Sequence, residues 1–340
     1  MTTLKKAFIT VINYLIFIAL ALLLLYFAFK GINFDLLIID LKSAKYSWVL
    51  FSFIFSIAGH ISRAIRWNLL IEPLGYKPPF KHSFYAVMTG YLANFALPRL
   101  GEITRCATLG KTEKIPVDAL IGTVIVERIV DLITLLLLLV VVFVAKINFF
   151  GQFFMSKLFL PLFGKVHATF EISVFYYIFV VVFLLGMILL YFVFRQRISE
   201  IFIVRKTKKI IRGISTGLTT IIHMKKLWLF IFHSLFIWGM YAMSTYIVFF
   251  AIPATSGLHL IDSLFILVIG GIGMSAPVQG GFGAYHGIIS LGLTLYGIPR
   301  EHGLVYATIS HESQAVLTIL LAAYSLIMLF FFRRSQKEIK

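Results

Sequence analysis

Residues 91–131 read YLANFALPRLGEITRCATLGKTEKIPVDALIGTVIVERIVD. The stretch starts as an apolar helix, breaks at Pro98, carries Arg99, Glu102 and Arg105, and breaks again at Pro116. It then resumes as a long apolar helix with Glu127, Arg128 and Asp131 about three turns in. Proline stops a helix because it lacks the backbone donor and its ring clashes with the preceding turn. Charges at membrane depth are costly and face a protein interior or a wet cavity. Broken backbone is tolerated there only where protein or water satisfies its polar groups. This stretch is therefore expected to line something polar inside a bilayer.

The composition supports the membrane assignment. Of 340 residues 60% are hydrophobic and 13% are charged, where soluble proteins run nearer a quarter charged. Several charge-free runs exceed 18 residues and read as transmembrane helices. Little is left for a soluble module, so one polytopic all-α domain over 1–340 is expected. The 31 Lys and Arg against 14 Asp and Glu fit cytoplasmic loops that set orientation and attract anionic lipid heads. Nucleic acid is not expected as a partner. The lone Cys106 excludes an internal disulfide or a cysteine metal cluster. Lys5 and Lys6 precede an apolar run at 8–29 without a small-residue cleavage site. That run reads as a retained first helix rather than a signal peptide.

Further spans are expected at 48–65, 117–145, 172–194, 227–250 and 303–332, making about six with the first. An amphipathic piece at 33–45 suits the interface. Arg63, Arg66 and Trp67 at the end of the second span read as interfacial anchors. The loop at 72–81 holds Pro73, Pro78 and Pro79. Residues 195–226 hold nine Lys or Arg against the single acid Glu200. Residues 263–299 contain no Asp, Glu, Lys or Arg in 37 residues. As one helix they would run about 55 Å, against a hydrocarbon core of about 30 Å. They must turn, and the place is Gly270–Gly273 through Pro277, Gly280, Gly281 and Gly283.

Parity of crossing decides the topology. If 83–111 is a re-entrant hairpin, the basic 195–226 loop falls inside, as the positive-inside rule requires. If 83–98 crosses once, that loop is forced outside. With 263–299 also a hairpin, both termini are cytoplasmic and the hairpins enter from opposite faces. Each hairpin is followed by an Ile-Pro pair (Ile115-Pro116, Ile298-Pro299) and a long span bearing an acid, Glu127 or Glu312. Repeat-like halves at about 83–145 and 263–332 follow. Interrupted segments in matching positions of inverted halves point to a transporter site.

Arg99/Glu102, Glu102/Arg105 and Arg128/Asp131 are spaced i,i+3, and Glu127/Asp131 i,i+4, so each pair can share a helical face. The cluster reads either as an ion-pair network that holds hairpin to helix or as a receptor for an anionic head, since arginine grips phosphate in a bidentate fork. Gln279, Tyr285 and His286 are the polar side chains of the second hairpin. His286 fits a satisfied interior histidine better than a metal ligand. His311-Glu312 is not H-E-x-x-H, because Ala315 stands where the second His is needed. Gly281-Phe282-Gly283 lacks a third glycine, and Gly110-Lys111-Thr112 has Arg105 where a Walker loop needs glycine. No metal, cofactor or ATPase engine is expected.

Two motifs carry a resemblance to a known family. One is N-x-x-L-P-R-x-G-E-x-x-R from Asn94 to Arg105, the other V-E-R-x-x-D from Val126 to Asp131. Together they resemble the flippase-like membrane domain of lysylphosphatidylglycerol synthases and their stand-alone relatives, over nearly the whole chain. The resemblance implies a lipid-translocating unit with two opposed re-entrant hairpins, in the cell membrane, working on membrane lipids and with a partner enzyme that supplies modified lipid. By match to the motifs, Pro98, Arg99, Gly101, Glu102, Arg105, Glu127, Arg128 and Asp131 carry over. His286 stands where the family often has an acid, and an arginine of the last span is replaced near His311. The soluble aminoacyl-transfer domain has no counterpart here, so lysyl transfer is not expected. The expected path for a lipid head runs along the first cluster and along Gln279, His286, His311 and Glu312. The rivals are a membrane-embedded lipid-modifying enzyme using Glu127, Glu312 or His311 as acid and base, and a non-catalytic membrane subunit.

Overall fold

The computed structural model describes residues 19, 22–31, 34–97, 100–147, 149 and 224–338. Two compact units divide the chain: Met1–Leu139 with Met224–Lys340, and Val140–His223. Pro98, Arg99, the expected span at 172–194 and nearly all of the basic 195–226 stretch lie outside the described residues.

The first unit is built of α1 (Phe34–Ser43), α2 (Tyr46–Ile71), α3 (Phe80–Ala96), α4 (Leu100–Glu113), α5 (Val117–Ala145, whose last turns enter the second unit), α6 (Leu227–Phe249), α7 (Leu260–Met274), α8 (Ala284–Thr294) and α9 (Arg300–Glu338). Residues 22–29 are also helical. Of the second unit only 140–147 and 149 are described, the end of α5 and the residues just after it. No strand occurs among the described residues. Among the described residues four helices are long and apolar enough to cross a membrane: Tyr46–Leu74, Val117–Ala145, Leu227–Phe249 and Arg300–Phe332. The polarity of the fold is inverted relative to a soluble protein. Leu50, Ile54, Leu137, Leu320 and Phe331 are exposed, whereas Arg63, Arg66, Arg105 and Glu127 are buried. Apolar surface on this scale needs a lipid or protein partner, and the chain is an all-α membrane protein.

The expected breaks divide short helices. At about 1.5 Å per residue α3, α4, α7 and α8 measure roughly 26, 21, 22 and 16 Å, each shorter than a hydrocarbon core of about 30 Å. The helices α3 and α4 fold against each other, as do α7 and α8. In the first hairpin the backbones touch. A Cβ on Gly101 would stand 2.3 Å from the Gly90 carbonyl oxygen, and one on Gly90 2.7 Å from that of Gly101. Gly101 thus closes the hairpin from inside α4 rather than forming the break. Asn94 spans the break, its Oδ1 accepting the Gly101 N–H at 2.7 Å and satisfying a donor that the start of a helix leaves free. In the second hairpin Gly270–Gly273 lie within α7, so the turn is narrower than expected and spans 275–283. Gly280 turns there at φ +56, and a Cβ on it would lie 2.9 Å from the Phe95 ring. The tips of the two hairpins therefore meet.

The long helices frame these hairpins. Along α2 runs α6, joined by Ser56 Oγ–Ser244 Oγ and Ser62 Oγ–His233 Nδ1, both 2.8 Å. Small and hydroxyl residues are the usual glue between membrane helices. A core of Trp67, Ile71, Phe84, Met88, Leu109, Leu120 and Leu329 gathers α2, α3, α4, α5 and α9. Arg300 of α9 donates to the carbonyls of Phe27 and Ala28 at 2.9 and 3.2 Å, closing the end of the 22–29 helix.

Candidate functional site

At the edge of that core the charged residues converge. The second long helix does not stop near Ile65, as its sequence suggested, but runs on to Ile71. Arg63, Arg66 and Trp67 are consequently not interfacial anchors. Their relative exposures are 5%, 0% and 0%, and the two arginines point at α5. Arg63 Nη1 lies 2.8 Å from Glu127 Oε1 and 3.1 Å from Asp131 Oδ2. Arg66 Nη2 lies 2.8 Å from Asp131 Oδ1 and 3.4 Å from Glu127 Oε1. Glu127 and Asp131, one turn apart, present both carboxylates to this pair.

From α4, Arg105 grips Glu127 with both terminal nitrogens, Nη2–Oε2 at 3.0 Å and Nη1–Oε1 at 3.4 Å. Its guanidinium sits 4.8 Å from the Trp67 ring, a cation–π contact in a desolvated place. Trp67 Nε1 donates to Thr123 Oγ1 at 2.9 Å, which fixes the ring. Glu102 does not pair within its own helix, as its i,i+3 spacing to Arg105 allowed. It reaches Arg128 at 2.9 Å instead, and Arg128 also stands 3.9 Å from Asp131. The described cluster holds four arginines (63, 66, 105, 128) and three acids (102, 127, 131), so 4 − 3 leaves one positive charge. The cluster named from the sequence lacked Arg63 and Arg66.

Beside the cluster, between the two hairpins, lies a cavity of about 590 Å³. That is within the range of small-molecule sites, roughly 300–1,000 Å³. Its walls include Tyr91, Phe95 and Glu102 from the first hairpin, and Met274, Val278 and Gly280 from the second. His60, Arg63, Arg128 and Tyr241 add polar groups. The Arg128 side chain is 45% exposed, unlike the other arginines of the network. His60 Nδ1 and Glu102 Oε2 are buried and lack a hydrogen-bond partner among the described residues. Among the described residues the cavity wall thus offers one accessible guanidinium, set beside a carboxylate oxygen and an imidazole nitrogen that are buried without a partner.

The remaining expected residues form a second group. His286, His311 and Glu312 come together on α8 and α9, and His311 Nε2 contacts the carbonyl of cavity-lining Gly280 at 2.8 Å. Gln279 is buried beside the turn but belongs to neither cluster.

A model of the family described as the lysylphosphatidylglycerol synthase TM region matches residues 14–323. The chain belongs to this family. A UPF0104 membrane protein of Methanocaldococcus jannaschii is 33% identical over 129 residues, which is 37% of this chain and 38% of that protein. The match thus spans well under half the length of the curated relative. No solved structure matches significantly. Membership in the lysylphosphatidylglycerol synthase TM family makes this a multi-pass membrane protein with a lipid-related role. Asn94 closes the hairpin, Gly101 lets it close tightly, and Glu102, Arg105, Glu127, Arg128 and Asp131 form the network. What the motifs did not contain is the α2 pair Arg63/Arg66, whose signal was two arginines at i,i+3 with Trp67 directly after them and three more apolar residues, Leu69–Ile71, before Glu72.

Proposed function

We propose that the protein is a lipid flippase or lipid-transport protein that passes an anionic, phosphate-bearing headgroup through the cavity between its hairpins while the tails stay in the hydrocarbon. The observation that supports this reading is the half-exposed Arg128 on the cavity wall, in a cluster whose described residues number one more arginine than acids. A guanidinium already held by Glu102 on one edge keeps its other donors for a phosphate oxygen. The buried arginines Arg63, Arg66 and Arg105 are consumed by Glu127 and Asp131, and act as the frame that holds α5 against α2 and α4. Network and receptor are thereby one construction with two layers. The re-entrant, oppositely directed hairpins and the cytoplasmic termini belong to the same proposal, as does residence in the cell membrane.

The test is transbilayer movement of a fluorescent phosphatidylglycerol in vesicles containing the purified protein, read by quenching of the outer leaflet. Arg128→Ala and Glu102→Gln are expected to slow it at least about tenfold while the protein stays folded, because one good charge-assisted contact is worth roughly 1.5–3 kcal/mol. Arg99→Ala, in the same motif, is tested beside them. Unchanged movement in all three variants overturns the site assignment. A membrane-embedded lipid-modifying enzyme is the second reading, favoured by His311 beside the partly exposed Glu312. Glu127, locked by three arginines, is a poor acid or base for it. Formation of a new lipid product by purified protein decides for that reading.

A further inference from the structure

The second hairpin holds a cluster that the arginine network does not touch. His286 comes from α8, and His311 and Glu312 come from α9. Both histidines are buried, and the Glu312 side chain is 41% exposed. His311 Nδ1 lies 3.0 Å from Glu312 Oε1, and His311 Nε2 lies 2.8 Å from the Gly280 carbonyl oxygen. His286 Nε2 faces the same Glu312 oxygen at 3.5 Å.

A neutral imidazole carries one N–H and one lone pair, yet both nitrogens of His311 face acceptors. If Nε2–H is given to the Gly280 carbonyl, Nδ1 turns a bare lone pair toward a carboxylate oxygen. Two lone pairs 3.0 Å apart repel unless a cation joins them. His286 adds a third nitrogen aimed at the same point.

We propose that His286, His311 and Glu312 bind one divalent transition-metal cation of the imidazole-preferring kind, with zinc(II) as the reference ion. Each residue supplies one ligand atom, and the three atoms lie within 4.8 Å of one another. Around a tetrahedral zinc with bonds of about 2.0–2.1 Å, ligand atoms stand roughly 3.3–3.4 Å apart. Two of the three separations here, 3.0 and 3.5 Å, bracket that value. Two imidazoles and a carboxylate form a donor set that suits zinc and its neighbours and leaves a fourth position open.

The surroundings fit as well. Metal-bound histidines donate their other N–H to a carbonyl or carboxylate, which fixes tautomer and ring angle. Gly280 is such a partner for His311. The ring of His311 is also packed between Phe282, Tyr285 and His286, at centroid distances of 5.0, 5.1 and 5.2 Å. Since Gly280 lines the cavity, a bound ion ties the tip of the second hairpin to α8 and α9 and stiffens that wall. The inference stands on this geometry alone and does not depend on lipid transport. Its competitor is a second proton on His311, which would satisfy both contacts without a metal.

The experiment uses the full-length protein in detergent, purified without a polyhistidine tag and stripped with a chelator. Cobalt(II) is added as a spectroscopic probe and then displaced with zinc(II). One equivalent of cobalt with visible bands of tetrahedral intensity is expected, lost on adding zinc. Affinity should fall by about tenfold or more in His286→Ala, His311→Ala and Glu312→Gln, and stay unchanged in His82→Ala, which alters a histidine paired with Glu113 elsewhere. Thermal unfolding of each variant accompanies the titration. If His311→Ala does not fold, the near-isosteric Glu312→Gln decides. Absence of stoichiometric binding, or equal binding in Glu312→Gln, overturns the proposal.

Discussion

Replacing Glu127 with Gln removes one negative charge from among three arginines and barely changes the shape. The carboxylate is fully buried, with Arg63, Arg105 and Arg66 nitrogens at 2.8, 3.0 and 3.4 Å. A unit-charge contact at 3 Å is worth about 5–6 kcal/mol at an effective dielectric near 20. The three contacts do not add, because every partner gave up hydration to reach its place. The amide keeps one acceptor oxygen but turns an NH2 group toward donors. Removing one member of a buried pair in this way costs about 3–5 kcal/mol, a large share of a total stability of roughly 5–15 kcal/mol. The assay is equilibrium unfolding of the purified protein in detergent, followed by helical circular dichroism. A second arm adds Arg105→Gln. With the pair gone together, the double variant should be less destabilised than the sum of the singles by about 1–3 kcal/mol. Stability of Glu127→Gln within about 0.5 kcal/mol of the parent, or simple additivity, refutes the idea that this ion cluster fastens α5 to α2 and α4.

Other outcomes follow from the same geometry. Arg66→Ala, which strips a wholly buried partner from Asp131, should cost about 3–5 kcal/mol, whereas Arg128→Ala, at a half-exposed pair, should cost less than about 1 kcal/mol; the same unfolding assay ranks them, and the reverse order would contradict the two-layer description. Gly101→Ala should destabilise by about 1–3 kcal/mol, because the added methyl has only the Gly90 carbonyl and the capping Asn94 amide to displace; a neutral effect would mean that the hairpin is looser than described. Trp67→Phe should lose about 1–2 kcal/mol through the hydrogen bond to Thr123 and the weakened face under Arg105, and Thr123→Val in the same background should then add little.

Much of this is legible in the sequence alone. Hydropathy and proline placement located four long helices among the described residues, and both helix breaks, because in a membrane protein these signals are set by solvent rather than by tertiary detail. The expected charged residues from Glu102 to Asp131 do meet. Their partners were less legible. Spacing along one helix suggested Glu102 with Arg105, but a side chain at a hairpin crossing is free to choose the neighbouring helix, and Glu102 takes Arg128. Arg63 and Arg66 resembled an interfacial anchor because basic and aromatic residues at the end of an apolar run have that signature. Their burial depends on Glu127 and Asp131 of α5, 64 and 68 residues after Arg63, which local pattern does not encode. The same holds for Gly270 and Gly273, which serve close packing against Tyr285, and for Gly271, which faces Leu135, rather than the turn.

A headgroup that passes between the hairpin tips must fit through the cavity there, so a bulky side chain at that place should block it. Ser275 is exposed and lines the cavity, so Ser275→Trp fills the space without crowding the core. Leu320→Trp places the same bulk on an outward-facing helix position that is 61% exposed. In vesicles, transbilayer movement of fluorescent phosphatidylglycerol should be lost with Ser275→Trp and kept with Leu320→Trp, at equal protein incorporation. Equal movement in both variants would contradict the account.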